Sequence, residues 1–406
     1  MFSLLKICVT GFRGLKDNFE ISFLPSEKVY FEKGDSEEIF KLAENLYAHN
    51  IIGITGSNAT GKTTVLDLIF NCLCLLSNGQ LRLADSDFNK SKMNLRIEFF
   101  LDGKIYIFTS IISLAFAKTN LNDVALSPIF DVKENIKVAK YNKDAGKKYL
   151  EKLEFKDMVF DRNSTLLQYG FSNIKTITGG KINANLFRAN FFNIDPNVLE
   201  DIFNMLKKEN PSILSSVLKI LDPSIEKFVP EGRGFIKLKR FGKREITVTF
   251  AQSLSLLSSG TIKGLILYLK FISTMKTGGI ILVDEIENSF TKALYSNILR
   301  LIKDKKINTN EVQIIFTTHY IEIIDLLRRR DDIYYVERYE QGIDILNFHS
   351  VAERPDIIRS VQFKKVFSSR MSDYDNLMAL KKEIKNEVSN INWRRCWRSI
   401  SWNFNW

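Results

Sequence analysis

An α/β fold with a parallel central sheet is what three runs in this sequence predict. Ile51 to Thr55 is an apolar run that passes into Gly56-Ser57-Asn58-Ala59-Thr60-Gly61-Lys62-Thr63-Thr64 and then into a helical pattern. Ile280 to Val283 is a second apolar run, ending on Asp284-Glu285, and Val312 to Phe316 is a third, ending on Thr317-Thr318-His319. Strands that alternate with helices predict parallel pairing, because a crossover helix is what returns the chain to the same end of a sheet.

Taken in order, Leu4 to Val9 and Phe19 to Phe23 are short β-branched and aromatic runs around the turn-rich Thr10-Gly11-Phe12-Arg13-Gly14, which predicts a hairpin. The mixed stretch from Ser26 to Asn50 holds a helical pattern at Glu37 to Tyr47. Lys62 to Leu76 carries apolar residues on most faces, as expected of a helix buried all round. Alternation at Leu95 to Leu101 and again at Lys104 to Ser110, across Asp102-Gly103, predicts a second hairpin. From about Ala117 to Arg244 the pattern loosens into Lys-rich and helical stretches without sustained heptads, which predicts a compact, mainly helical insertion. At ~1.5 Å per residue, with the chain having to return, this segment is too short for a long coiled-coil arm. Glu245 to Phe250 predicts a strand re-entering the main sheet, Ile262 to Met275 and Asn288 to Ile302 helices, and Ile333 to Val336 a further strand. The expected division is an N-terminal half over residues 1–116, the insertion over 117–244, a C-terminal half over 245–350 and a basic, tryptophan-containing segment over 351–406.

With 406 residues, 45% hydrophobic and 26% charged, the chain has the composition of a soluble globular protein with room for two or three domains. Its least polar stretch, Ile105 to Ala117, is about half a bilayer span, and no leader pattern opens it, so a cytoplasmic protein without a membrane anchor is expected. Cys8, Cys72, Cys74 and Cys396 are too scattered for a zinc site or a disulfide framework and read as buried, reduced thiols. A net charge of +11 permits contact with nucleic acid or an acidic partner without requiring either. From Arg359 onward ten Lys/Arg stand against four Asp/Glu, and Trp393, Trp397, Trp402 and Trp406 are interleaved with Arg394, Arg395 and Arg398. A docking surface and a frayed terminus both fit that pattern, since these tryptophans share no single helical face.

The run Gly56 to Thr63 fits G-x-x-x-x-G-K-[ST] and has the flanking strand and helix its mechanism requires. Glycines let backbone N–H groups converge on phosphates at the positive end of a helix, so Lys62 is expected on the β- and γ-phosphates of ATP and the Thr63 hydroxyl on Mg²⁺. Asp284 and Glu285 emerge where an open α/β sheet binds ligands, which suits Asp284 to Mg²⁺, through water, and Glu285 to the attacking water. Either carboxylate alone would read as a solvated strand end. Leu257-Ser258-Ser259-Gly260 precedes a helix and lies 24 residues before Asp284; its hydroxyls and free N–H groups make an anion site, or simply an N-cap. A lone histidine such as His319 is commonly structural. Gln168, in Leu166-Leu167-Gln168-Tyr169, lies within the insertion and receives no role.

The opening Leu5-Lys6-Ile7-Cys8-Val9-Thr10-Gly11-Phe12-Arg13-Gly14, the Gly56 to Thr63 loop, Leu257 to Lys263, Val283-Asp284-Glu285-Ile286-Glu287-Asn288-Ser289 and Phe316 to Tyr320 together resemble the RecF/SMC-like AAA ATPases. Within them the match is nearest to the abortive-infection and OLD-related group, and it covers about half of the chain. The resemblance implies an ABC/SMC-type P-loop ATPase head with a mixed sheet, split by the insertion. It implies that Ser258, Ser259 and Gly260 reach the γ-phosphate held by an opposite subunit, giving a homodimer around two ATP molecules with room for higher assembly, and that His319 is a switch on the γ-phosphate. One departure concerns Thr291, which stands where many members carry histidine.

OLD nucleases add a C-terminal Toprim domain, and the seventy residues after Val336 lack its spaced acidic ligands, so ATP hydrolysis without nuclease activity is expected. Members of the group serve as the ATPase half of two-gene phage-defence systems such as PARIS, which implies a separate nuclease or toxin as effector partner. The alternative is a RecF-like repair ATPase on duplex DNA. A transporter subunit fits poorly, because of the long split between the motif halves and the RecF-like opening strand.

Overall fold

A computed structural model describes residues 1–30, 37–79, 85–89, 92–115, 129–159, 172–179, 181–188, 196–232, 234–287, 292–351, 358–371, 378 and 380–385. The chain forms two compact units, Met1–Glu353 and Arg354–Trp406.

The first unit opens with β1 (Phe2–Thr10) and β2 (Phe19–Ser22), antiparallel as expected. The helical pattern expected at Glu37 to Tyr47 is instead a hairpin of β3 (Ile39–Ala43) and β4 (Leu46–His49), turning where Asn45 holds φ 64°. Its apolar residues pair across two short strands, and a run this short fits either period until tertiary packing decides. After β5 (Ile51–Thr55), α1 (Lys62–Asn78) starts at left-handed Gly61 and stops at left-handed Gly79, whose N–H bonds to Leu75 O. Then come β6 (Lys92–Leu101) and β7 (Lys104–Ala115), the second expected hairpin.

The segment 117–244 departs from the expected mainly helical insertion, because its described residues are woven into the sheets. β8 (Ile129–Lys140) extends the β6–β7 hairpin, with Ile136 buried and Lys133 and Lys137 exposed, so its lysines mark the outer face of a strand. α2 (Tyr149–Lys152), β9 (Lys156–Asp157) and α3 (Ile174–Thr178) follow. β10 (Ala184–Arg188) joins the central sheet. α4 (Pro196–Lys208) and α5 (Pro211–Leu221) are the amphipathic helices that the sequence shows; Asn210 caps α5 and Pro211 takes its first turn, where no N–H is needed. β11 (Ile225–Glu231), β12 (Phe235–Arg240) and β13 (Ile246–Thr249) form a separate antiparallel sheet, so the strand expected at Glu245 to Phe250 exists but does not enter the main one.

A capping box of Thr249 and Gln252 starts α6 (Phe250–Ser255), and Ser258 caps α7 (Ser259–Thr277). β14 (Ile280–Asp284), α8 (Lys292–Lys303), β15 (Gln313–Thr318) and β16 (Ile333–Tyr339) fall where the sequence puts them, and β17 (Gly342–Asn347) adds an antiparallel edge.

Two six-stranded sheets result. One is antiparallel, β2-β1-β6-β7-β8-β9; the other, β10-β14-β15-β5-β16-β17, is parallel except at β17. Residues of β1, β6, α1, β5, β14 and β15 share one buried core, including Ile7, Ile97, Leu66, Ile54, Leu282 and Ile315. Burying each such side chain is worth ~1.5–3 kcal/mol, so the helix behind the glycine loop is held by packing rather than by its own propensity. At the N-terminal edge of the parallel strands a buried ionic cluster ties the segments together. Lys303 pairs with Glu38 at 2.5 Å and Arg329 with Asp331 at 2.7 Å, while the Asp332 carbonyl receives the N–H of Gly53 at 2.9 Å. Cys72 and Cys74 are buried and Cys8 half-buried, all unbridged, as expected. No described helix is long and apolar enough to cross a membrane.

In the second unit, α9 (Arg359–Met371) and helical residues 380–385 are described. The tryptophan and arginine cluster from Trp393 onward, with Cys396, lies outside the described residues.

Candidate active site

The register at the C-terminal edge of the parallel strands decides which side chains meet. β15 lies between β14 and β5 with Phe316 opposite both Val283 and Gly53, so all three strands end at one level. The runs Gly56–Thr64, Asp284–Glu285 and Thr317–His319 therefore come together.

The loop is built from close approaches that a side chain would block. A Cβ at Gly56 would lie 2.4 Å from Val336 O, and one at Gly61, where φ is 107°, would lie 2.5 Å from Ile343 Cδ1. Ala59 also has positive φ, 59°, and its carbonyl accepts from Arg338 Nε at 3.2 Å. Thr60 Oγ1 closes the loop by donating to Ser57 O at 3.0 Å. Asn58 and Ala59 are exposed, and Thr64 is half-buried on the first turn of α1.

Lys62 is 5% exposed and turns back on this loop, donating from Nζ to Gly56 O at 2.9 Å and Ser57 O at 2.7 Å. Burial pushes its pKa down to about 8, against the opposing pull of Glu287, Glu285 and Asp284. The same Nζ lies 3.1 Å from His319 Nδ1, and His319 Nε2 lies 3.3 Å from Glu285 Oε1. An ammonium has no lone pair, so Nδ1 accepts from Lys62, and Nε2–H is left to donate to the carboxylate; this network assigns the tautomer. Lysine, histidine and glutamate are thus one chain of hydrogen bonds.

The acidic side is held as closely. Thr63 Oγ1 sits 3.2 and 3.1 Å from the two Asp284 oxygens. Thr317, fully buried, donates from Oγ1 to Asp284 Oδ1 at 2.6 Å and accepts the N–H of Glu285 at 2.7 Å. Its carbonyl accepts from Ile286 N at 3.0 Å. Glu285 has φ 49°, uncommon for a residue with a side chain, and these bonds hold it there. Glu287 Oε1 accepts the N–H of His319 at 2.5 Å, while its Oε2 is buried without a hydrogen-bond partner.

Thr317 and Glu287 are the site residues that sequence reasoning missed. The only signal was their adjacency to the motif residues they hold.

The donor set suits Mg²⁺. A hydroxyl from Thr63 and a carboxylate from Asp284 already face each other, and Mg²⁺ takes one or two such oxygens while keeping several waters. No group of three or more His, Cys, Asp or Glu among the described residues could enclose an ion unaided. The glycine loop likewise fits a triphosphate, with Lys62 able to exchange loop carbonyls for phosphate oxygens.

Ser258, Ser259 and Gly260 stay outside this constellation. Ser258 Oγ accepts from Thr261 N at 3.1 Å as the cap of α7; Ser258 and Ser259 are exposed, and among the described residues no hydrogen bond joins them to the loop. Gln168 and Thr291 lie outside the described residues.

Residues 142–325 match the family model described as "AAA domain, putative AbiEii toxin, Type IV TA system". That span takes in Ser258–Gly260, Asp284, Glu285 and His319 but not the glycine loop. Among solved structures, the chain is similar to the "SMC head domain from Thermotoga maritima", with 13% identity and TM-score 0.43 over 85% of this chain and 98% of that one. It is also similar to "An inward-facing conformation of a putative metal-chelate type ABC transporter", with 14% identity and TM-score 0.32 over 90% of each. The strand order itself carries the fold. No curated protein matches the chain. Strand order, glycine loop, acidic strand and histidine give the chain a mixed α/β P-loop fold, with a mainly parallel sheet beside an antiparallel one.

Proposed function

We propose that this chain binds and hydrolyses ATP with Mg²⁺, closes into a homodimer around two nucleotides, and through that cycle controls a separate effector protein in a bacterial anti-phage system. One observation carries the reading: Lys62, Thr63, Asp284, Glu285 and His319 converge at the edge where the glycine loop opens onto α1.

Loop amides from Gly56 to Thr64 hold the triphosphate at the helix N-terminus. Lys62 gives up the Gly56 and Ser57 carbonyls for the β- and γ-phosphates, and this releases His319 to the γ-phosphate. Thr63 and Asp284 hold Mg²⁺, which when bound neutralises charge on the β- and γ-oxygens. Glu285 takes the proton of the attacking water. Ser258 and Ser259, exposed at the start of α7, and the half-buried Gly260 meet the γ-phosphate of the second copy. The description of the family matched over residues 142–325, "AAA domain, putative AbiEii toxin, Type IV TA system", supports a place in a toxin–antitoxin or abortive-infection system.

Purified chain is expected to turn over ATP only with Mg²⁺, Lys62→Ala to lose nucleotide binding, and Glu285→Gln to retain ATP and sediment as a dimer. Unchanged turnover in Glu285→Gln removes that residue as base. Co-expressed with the product of its neighbouring gene, the chain is expected to protect cells from phage and Lys62→Ala to protect none. Absence of both protection and binding between the two products defeats the defence role. Duplex DNA affinity that falls steeply with salt would favour the RecF-like alternative instead.

A further inference from the structure

We infer that the turn between β12 and β13 forms a second contact of the closed dimer, with Lys243 and Arg244 of one copy meeting the acidic, nucleotide-bearing sheet edge of the other. This rests on the ATP-sandwich reading and adds residues that it does not name.

The turn has a fixed place beside the start of α7. Arg240, at the end of β12, donates from Nη2 to Leu256 O at 2.7 Å and from Nη1 to Ser224 Oγ at 3.2 Å, and it pairs with Asp222 at 3.5 Å. Leu256 is two residues before the Ser258 cap. Between them opens a cleft of about 430 Å³ lined by Leu238, Arg240, Lys243, Arg244, Ile246 and Leu256.

The surface chemistry differs here from the rest of the small sheet. Lys227, Lys237 and Lys239 are each neutralised by a glutamate, at 2.8, 2.5 and 2.6 Å. Lys243 and Arg244 are exposed and make no ion pair among the described residues. Beside them Phe241 is 64% exposed, Leu256 46% and Ile246 43%. A solvated turn has no need of three exposed apolar side chains around two unpaired cations, whereas an interface uses both.

The occupant is a second copy of this chain, chosen by charge. Asp284, Glu285 and Glu287 crowd one sheet edge around a single buried lysine, and a triphosphate on Lys62 adds further negative charge. In a two-fold dimer each copy offers the cationic turn once and the acidic edge once, so the contact is made twice. Nucleic acid fits less well: two free cations flanked by apolar side chains do not make a phosphate track.

The test uses full-length Glu285→Gln protein with ATP and Mg²⁺, its dimer dissociation constant measured by sedimentation velocity. Adding Lys243→Glu and Arg244→Glu is expected to weaken the dimer at least about tenfold while leaving the monomer's ATP affinity unchanged. Lys237→Gln, which removes a paired lysine, is expected to change neither. An unaltered melting temperature shows that the doubly reversed variant is folded. If the reversed variant dimerises as tightly as its parent, or loses only duplex DNA binding, the inference is overturned and the sandwich stands. If the parent itself stays monomeric with ATP, the sandwich reading fails and this inference with it.

Discussion

Replacing Thr317 with valine tests how the acidic edge of the parallel sheet is assembled. The side chain is fully buried, and its hydroxyl serves two neighbours at once, donating to Asp284 Oδ1 at 2.6 Å and accepting from Glu285 N at 2.7 Å. Valine keeps the shape and removes both bonds. A bond to a charged group is worth ~1.5–3 kcal/mol and a neutral one ~0.5–1.5, so the variant should be destabilised by roughly 2–4 kcal/mol. Urea unfolding measures that loss. The backbone bond from Ile286 N to Thr317 O survives, so the strand end should persist while Glu285 loses the partner that holds its left-handed backbone. Turnover should therefore fall at least tenfold, the equivalent of ~1.4 kcal/mol, with KM for ATP nearly unchanged because Lys62 and its loop are untouched. Thr317→Ser, which restores the hydroxyl, should recover most of the rate. A valine variant with near wild-type turnover and stability would show that Thr317 merely fills space.

Two further outcomes follow from the loop. Phosphates favour the charged form of Lys62, whose pKa in the free protein is pushed down to about 8, so binding takes up a proton above that pH. ATP affinity should fall up to ~tenfold per pH unit from about pH 8 upward, until the higher pKa of the complex is passed; a flat calorimetric profile between about pH 7 and 9.5 would contradict this. Gly61→Ala places a Cβ 2.5 Å from Ile343 Cδ1 and 2.9 Å from its Cγ2 at φ 107°. A cost of ~1–3 kcal/mol is expected from the backbone alone, read as a lowered melting temperature together with weaker ATP binding, and an unchanged melt would refute it.

How much could be read beforehand depended on how local the determinant was. The glycine loop, the strands β5, β14 and β15 and the buried helix α1 are legible because each is written in one contiguous run with its own period or turn chemistry. Lys62, Asp284, Glu285 and His319 inherit that legibility. Glu287 and Thr317 do not, since their work is to hold a neighbour's backbone or carboxylate, and nothing in their identity distinguishes a threonine in a buried strand from one that braces two acids. The β3–β4 hairpin departs from the expected helix because Ile39, Leu42 and Leu46 fall on one helical stripe while Phe40 and Ala48, and Ala43 and Leu46, pair across two short strands, and the Glu44-Asn45 turn is a weak signal. β17 escaped because its six residues take their places from partners, β16 along the whole strand and the Gly14 and Lys16 backbone at Ile343, that its own short pattern does not announce.

The segment 117–244 shows the deeper limit, because its role lies in pairing that no local pattern records. β10 runs parallel to β14 with Arg188 opposite Asp284, so residues expected to form an appended lobe close the edge of the sheet beside the acidic strand. α3 is anchored to the helix behind the glycine loop: Ser172 N donates to Gly79 O at 2.7 Å and Thr178 Oγ1 to Leu76 O at 2.5 Å. Removing the segment would strip β14 of its outer partner and leave a row of unpaired backbone groups next to Asp284. The segment also carries the β11–β13 sheet, whose Arg240 binds the chain just ahead of α7. One stretch of sequence therefore touches the strand that bears the acids, the helix that follows the phosphate loop and the approach to the serine turn. A change at the glycine loop or the acidic strand has a covalent and packed route into this segment.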